Sequence, residues 1–114
     1  MSCKITYTPD FAKQLKQLAK KYKSMKEDYA RLLAELRSNP TLGVELGNHL
    51  RKVRMSIASK GKGKSGGARV ITYTILIAET DTDIKLLTIY DKSDRESITD
   101  KELLDLMKKN GINA

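Results

Sequence analysis

Seven basic side chains fall within nineteen residues of this chain (Arg51, Lys52, Arg54, Lys60, Lys62, Lys64 and Arg69), and no acidic residue lies among them. Outside that stretch the basic and acidic residues nearly balance, at 15 and 14, so almost all of the net charge of +8 is local. A positive field this concentrated suits a polyanion or an acidic protein segment, although a solvated basic loop gives the same charge count. Spacing adds geometry. A strand from about Leu50 to Ala58 puts Lys52 and Arg54 on one face, opposite Val53 and Met55. Two cations on a sheet face beside a basic hairpin loop make a phosphate cradle, or are simply the exposed positions of a half-buried sheet. RNA can be cut by such groups because it carries its own nucleophile, the 2′-hydroxyl. Guanidinium groups neutralise the pentacoordinate phosphorane through bidentate contacts. A lysine crowded by other cations exchanges protons nearer neutral pH, and a tyrosine hydrogen-bonds or stacks on a base.

Other chemistries fit less well. No carboxylate occurs between Leu46 and Ala78, so a metal-assisted nuclease would lack ligands near the charge, and neither metal nor cofactor is expected. His49 is the only histidine, which excludes a two-histidine acid–base pair, and a lone histidine at a strand start is more often a surface residue. Gly63-Lys64-Ser65 looks like the end of a phosphate-binding P-loop. The position that should be glycine is Ala58, however, and the helix that should follow reads as a strand. Cys3 is the only cysteine, which leaves no intrachain disulfide and no cysteine metal cluster. No apolar run has the length of a membrane span, and the first is interrupted by Lys4, Asp10 and Lys13; no membrane partner and a cytoplasmic location are expected.

The elements that must position these groups can be read along the chain. Cys3 to Tyr7 alternates as a short strand. Thr8-Pro9-Asp10 opens a helix with Phe11, Leu15, Leu18 and Tyr22 on one face, and a second helix carries Met25, Tyr29, Leu32 and Leu36 up to Asn39-Pro40. Thr41 to Asn48 reads as a loop, Ser59 to Gly67 as a glycine–lysine hairpin loop, and Ala68 to Ala78 as a β-branched strand. Glu79 to Asp83 reads as a polar turn and Ile84 to Tyr90 as a further strand. A final helix opens with the capping box Thr99 to Glu102, and Leu103, Leu104, Leu106 and Met107 supply its apolar face. The expected order is β-α-α-β-β-β-α: one α+β domain over residues 1–114, with a mostly antiparallel four-stranded sheet packed by an N-terminal helical hairpin and a C-terminal helix.

Three segments carry a resemblance. Leu50-Arg-Lys-Val-Arg-Met-Ser-Ile-Ala, then Gly61-Lys-Gly-Lys-Ser-Gly-Gly-Ala-Arg-Val-Ile-Thr-Tyr73, then Leu86-Leu-Thr-Ile-Tyr-Asp-Lys-Ser-Asp94 resemble HigB-type members of the RelE/ParE toxin superfamily. The resemblance spans nearly the whole chain and implies a RelE-like fold and a ribosome-dependent endoribonuclease that cuts mRNA without metal. It also implies a cognate antitoxin, HigA-like and of helix-turn-helix type, with operator DNA bound only through that antitoxin. Carried over by position, Lys52 and Arg54 match the basic pair of the second strand, and Arg69 the arginine that contacts the scissile phosphate. Lys92 falls where a basic residue often follows the last strand.

The family's tyrosine near the C-terminus has no counterpart after Tyr90, so Tyr90, Lys52 or Lys92 is left for the proton transfers. Arg51, Lys60, Lys62, Lys64 and Tyr73 are expected to hold RNA. Arg69→Ala is expected to abolish toxicity and leave folding intact. An acidic antitoxin segment is expected to dock on the acid-free stretch. A ParE-like inhibitor of DNA gyrase on the same fold, and a non-catalytic RNA- or protein-binding module, are the alternatives.

Overall fold

The structure, a computed structural model, describes residues 2–95 and 97–112. The elements run β1 (Ser2–Tyr7), α1 (Pro9–Lys21), α2 (Met25–Ser38), β2 (Val44–Gly47), β3 (Leu50–Met55), a 3₁₀ turn (Ala58–Lys60), β4 (Ala68–Ala78), β5 (Asp81–Asp91) and α3 (Asp100–Lys109). The strands form one mixed sheet in the order β1-β5-β4-β3-β2. Three helices on a sheet make the expected α+β fold, but the sheet has five strands rather than four. The added strand, β2, lies in the segment read as a loop. It is four residues long, mostly exposed and at the sheet edge, so it carries no apolar alternation to announce it. It turns into β3 through Asn48 and His49, both with positive φ (53° and 66°), the geometry of a tight hairpin turn. β3 itself ends at Met55 rather than Ala58, and β5 starts at Asp81, leaving only Glu79 and Thr80 to turn the β4–β5 hairpin.

Each face of the sheet is covered. The α1–α2 hairpin lies on one face, where Phe11, Met25, Leu32 and Leu36 pack with Val53, Met55, Val70, Ile84, Leu86 and Ile89. α3 lies on the other, where Leu103 and Met107 pack with Leu50, Ile71 and Leu87. Double coverage explains why β4 is buried at nearly every position from Ala68 to Thr74 instead of at alternate ones. Phe11 is fully buried at the centre of the hairpin contact; its truncation to alanine should cost about 3–5 kcal/mol.

β1 is the sole parallel strand and pairs β5 only as far as Leu86. Beyond that point α1 completes the open edge of β5. Thr8, the N-cap of α1, accepts the Phe11 N–H at 3.0 Å and donates to the Leu87 carbonyl at 2.8 Å. Gln14 then accepts the Ile89 N–H at 2.9 Å. These bonds hold the end of β5, and with it Tyr90, in register with β4. At the other end of the basic loop Gly67 runs so close to β3 that a Cβ on it would stand 2.0 Å from the Met55 carbonyl oxygen, so only glycine fits.

Candidate active site

The period of two along β3 resolves the basic stretch into two faces. Val53 and Met55 point to the hairpin core, so Lys52 and Arg54 point to the α3 side, and Arg51 to the hairpin side. Register then brings three expected residues together: Arg54 lies directly opposite Arg69 on β4, and Arg69 directly opposite Tyr90 on β5. At about 4.8 Å per strand, the three backbones span about 10 Å. Lys52 stands two residues along β3 on the same face. Arg54 is exposed and has no bonding partner among the described residues, whereas Lys52 is half-buried.

Arg69 is buried and tied down. Its Nη1 donates to the carbonyls of Lys64 and Ala68 at 2.9 and 3.1 Å, and Nη2 donates to that of Ser65 at 3.1 Å. Of five N–H groups, the one on Nε and one on Nη2 stay without a partner among the described residues, enough for a bidentate phosphate contact. Burial first, and then the charge of Arg54, lowers its pKa. Because the guanidinium also holds the basic loop, Arg69→Ala removes bonds of the fold as well as a cation, contrary to the expectation of an intact structure.

Tyr90 is half-buried, and its hydroxyl meets no hydrogen-bond partner of good geometry among the described residues. Burial pushes the phenol pKa up, against the opposing pull of Arg95 and Arg69, so the group is a neutral proton donor at physiological pH. Arg95, which the sequence reading did not single out, lies over the Tyr90 ring at 5.3 Å. It is held there by an ion pair with Glu102 and by the Ser97 carbonyl at 3.1 Å. The Arg95 bond first, then the backbone N–H of Thr99, draws the Glu102 carboxyl down to about 2. The α3 capping box and the cationic edge of the site therefore share one carboxylate.

The other expected RNA contacts are scattered. Lys60 sits on the hairpin face with a side chain only 7% exposed; its Nζ bonds Asp91 Oδ1 at 2.7 Å and Ser93 Oγ at 2.7 Å. It is a buried counter-charge in this structure and is not presented to solvent. Asp91 also accepts the Tyr22 hydroxyl and the Ser93 N–H. Burial raises its pKa, but the bonds from Lys60, Tyr22 and Ser93 more than reverse this and hold the carboxyl well below the usual range.

Arg51 faces away from the row and donates to the Thr41 carbonyl at 3.3 Å. Lys62 and Lys64 are exposed on the loop, and Lys64 pairs with Glu35 at 2.9 Å. Tyr73 shares the face of Arg69 but lies four residues, about 13 Å, along β4. Ile71, on which α3 packs, intervenes, and the His49 ring meets Tyr73 edge-on at 6.2 Å. Lys92 is half-buried in the turn after β5, its backbone N–H bonded to the Gly67 carbonyl at 3.0 Å. Among the described residues no three His, Cys, Asp or Glu side chains converge as a metal site would need, and no helix is long and apolar enough to cross a membrane.

Lys52, Arg54 and Arg69 therefore share the sheet face partly covered by α3, while Arg51 and Lys60 lie on the other side. Residues 11–112 match the family of the RelE toxin of the RelE/RelB toxin–antitoxin system. The chain belongs to the RelE toxin family. Membership makes this protein a toxin of a toxin–antitoxin system and implies a cognate antitoxin as partner. The match runs from Phe11, near the start of α1, past the end of α3, and so takes in the whole Arg54–Arg69–Tyr90 row of the toxin.

Proposed function

We propose that this RelE-family toxin is a ribosome-dependent, metal-independent mRNA endoribonuclease acting in the cytoplasm, and that the row Arg54–Arg69–Tyr90 with Lys52 is its active site. The register that sets two guanidinium groups and a neutral phenol side by side across three strands carries the reading. The 2′-oxygen of the message attacks the adjacent phosphorus, the P–O2′ bond forms and the P–O5′ bond breaks, leaving a 2′,3′-cyclic phosphate and a 5′-hydroxyl. Arg54 and the open edge of Arg69 stabilise the charge that grows on the phosphorane oxygens. Tyr90, a neutral phenol whose hydroxyl is buried in the free toxin, supplies the proton to the departing 5′-oxygen once the message is seated, and Lys52 or Lys92 takes the one from the 2′-hydroxyl. Lys62 and Lys64 contact RNA backbone from the loop. The antitoxin is HigA-like, of helix-turn-helix type, and carries any contact with operator DNA.

Primer extension on mRNA from cells briefly expressing the protein tests this. Arg54→Ala is the better comparison than Arg69→Ala, because Arg54 has no structural bond to lose among the described residues. New 5′ ends within translated regions that vanish in Arg54→Ala support the reading. Growth arrest without such ends would move the target to DNA gyrase, and neither arrest nor ends would leave a binding module.

A further inference from the structure

Two carboxylates, Asp28 and Asp91, are fully buried yet take no part in the proposed chemistry. Both serve the 3₁₀ turn at the root of the basic loop. Asp28 accepts the Ala58 backbone N–H with both oxygens at 3.2 Å. Ser24, at the N-cap of α2, accepts the Ser59 N–H at 2.8 Å and donates to Asp28 at 2.6 Å. Asp91 holds Lys60 at 2.7 Å and accepts the hydroxyl of Tyr22, the C-cap of α1. All three residues of the turn are thus bonded, directly or through one partner, to the corner between α1 and α2. Ile57, just before the turn, is buried in the core, but no apolar side chain from Ala58 to Gly66 is buried, so within the turn itself the polar bonds set the position. Four and five residues beyond Lys60, the same loop presents the Lys64 and Ser65 carbonyls that take the Arg69 guanidinium.

We propose that Tyr22, Ser24 and Asp28 are positioning residues for cleavage: they fix the turn, the turn fixes the loop, and the loop aims Arg69 along the row. The proposal rests on the endonuclease reading above. None of the three is expected to touch RNA. Their effect is on geometry, where misplacement by about 1 Å can lower a rate about 100-fold.

The test pairs Tyr22→Phe with Ser24→Ala, changes that keep ring and helix and remove two hydroxyls. Purified toxin, 70S ribosomes and a short message give turnover and the half-saturating ribosome concentration, with the folded fraction taken from circular dichroism. Turnover per folded molecule is expected to fall about 10- to 100-fold with half-saturation changed by less than about twofold, while Ser24→Thr, which retains the hydroxyl, cuts like wild type. A double variant that melts earlier yet cuts at the wild-type rate per folded molecule overturns the proposal, as does a loss carried by ribosome affinity alone. Should the double variant not fold, Ser24→Ala alone decides, by a severalfold fall in turnover or none. Wild-type protein that makes no cut at all would instead sink the endonuclease reading.

Discussion

Arg54 and Lys60 come from one acid-free stretch of sequence and end in opposite circumstances on opposite faces of the sheet. Lys60 is enclosed on the hairpin face with a buried carboxylate, a serine hydroxyl and the Tyr22 ring around it. Arg54 stands exposed on the α3 face, beside a second guanidinium that it disfavours electrostatically. A buried cation matched by a carboxylate serves the fold. A pair of like charges held side by side, with no carboxylate paired to either among the described residues, adds no stability and suits an anionic ligand. Net charge cannot make this distinction, because both residues add one to the same count.

The comparison can be broken most sharply at Asp91. Asp91→Ala should strand the Lys60 ammonium and destabilise the protein by about 3–5 kcal/mol in urea titrations. Only a marginal loss would mean that Lys60 is free to swing outward after all. Next in size, Arg54→Ala should reduce mRNA cleavage about 100- to 1,000-fold while moving stability by no more than about 0.5 kcal/mol. Equal losses of stability and activity would erase the contrast between the two faces.

Acid gives a third, smaller reading. The Asp91 carboxyl has its pKa depressed in the folded state, so its contribution is complete above the unfolded value of about 4 and is lost as pH falls below it. Stability should therefore drop more steeply from pH 5 to pH 3 in wild type than in Asp91→Asn. Smallest of all, Lys62→Ala should leave stability unchanged and lower the slope of log affinity against log salt by about one for RNA binding. A loss of stability there would make Lys62 another member of the buried class.

Much of this could be read from the residues, for definite reasons. Helices α1 and α3 announce themselves through Thr8-Pro9 and through the Thr99–Glu102 capping box, both of which form as bonds. The alternation in β3 placed Lys52 and Arg54 on one face, but not which helix would cover that face. Lys60 misled because its partner lies 31 residues away, and nothing local marks Asp91 as its counter-charge. Arg95 escaped notice for a similar reason, since its place over Tyr90 depends on Glu102 and on where the chain runs after β5. β2 left no trace in the pattern because an exposed edge strand of four residues buries too little to need one.

The parallel pairing of β1 has a consequence for how the protein is made. Ser2 lies opposite Asp81 and Tyr7 opposite Leu86, so each residue of β1 pairs with one that follows it by 79 positions in the chain. Contacts so distant in the chain slow folding, and the Arg54–Arg69–Tyr90 row itself lacks its third member until Tyr90 is added. A ribosome that stops earlier on this message holds a chain with every cation of the loop and no place to aim them. The row proposed to act on RNA is complete only once β5 has paired with β4.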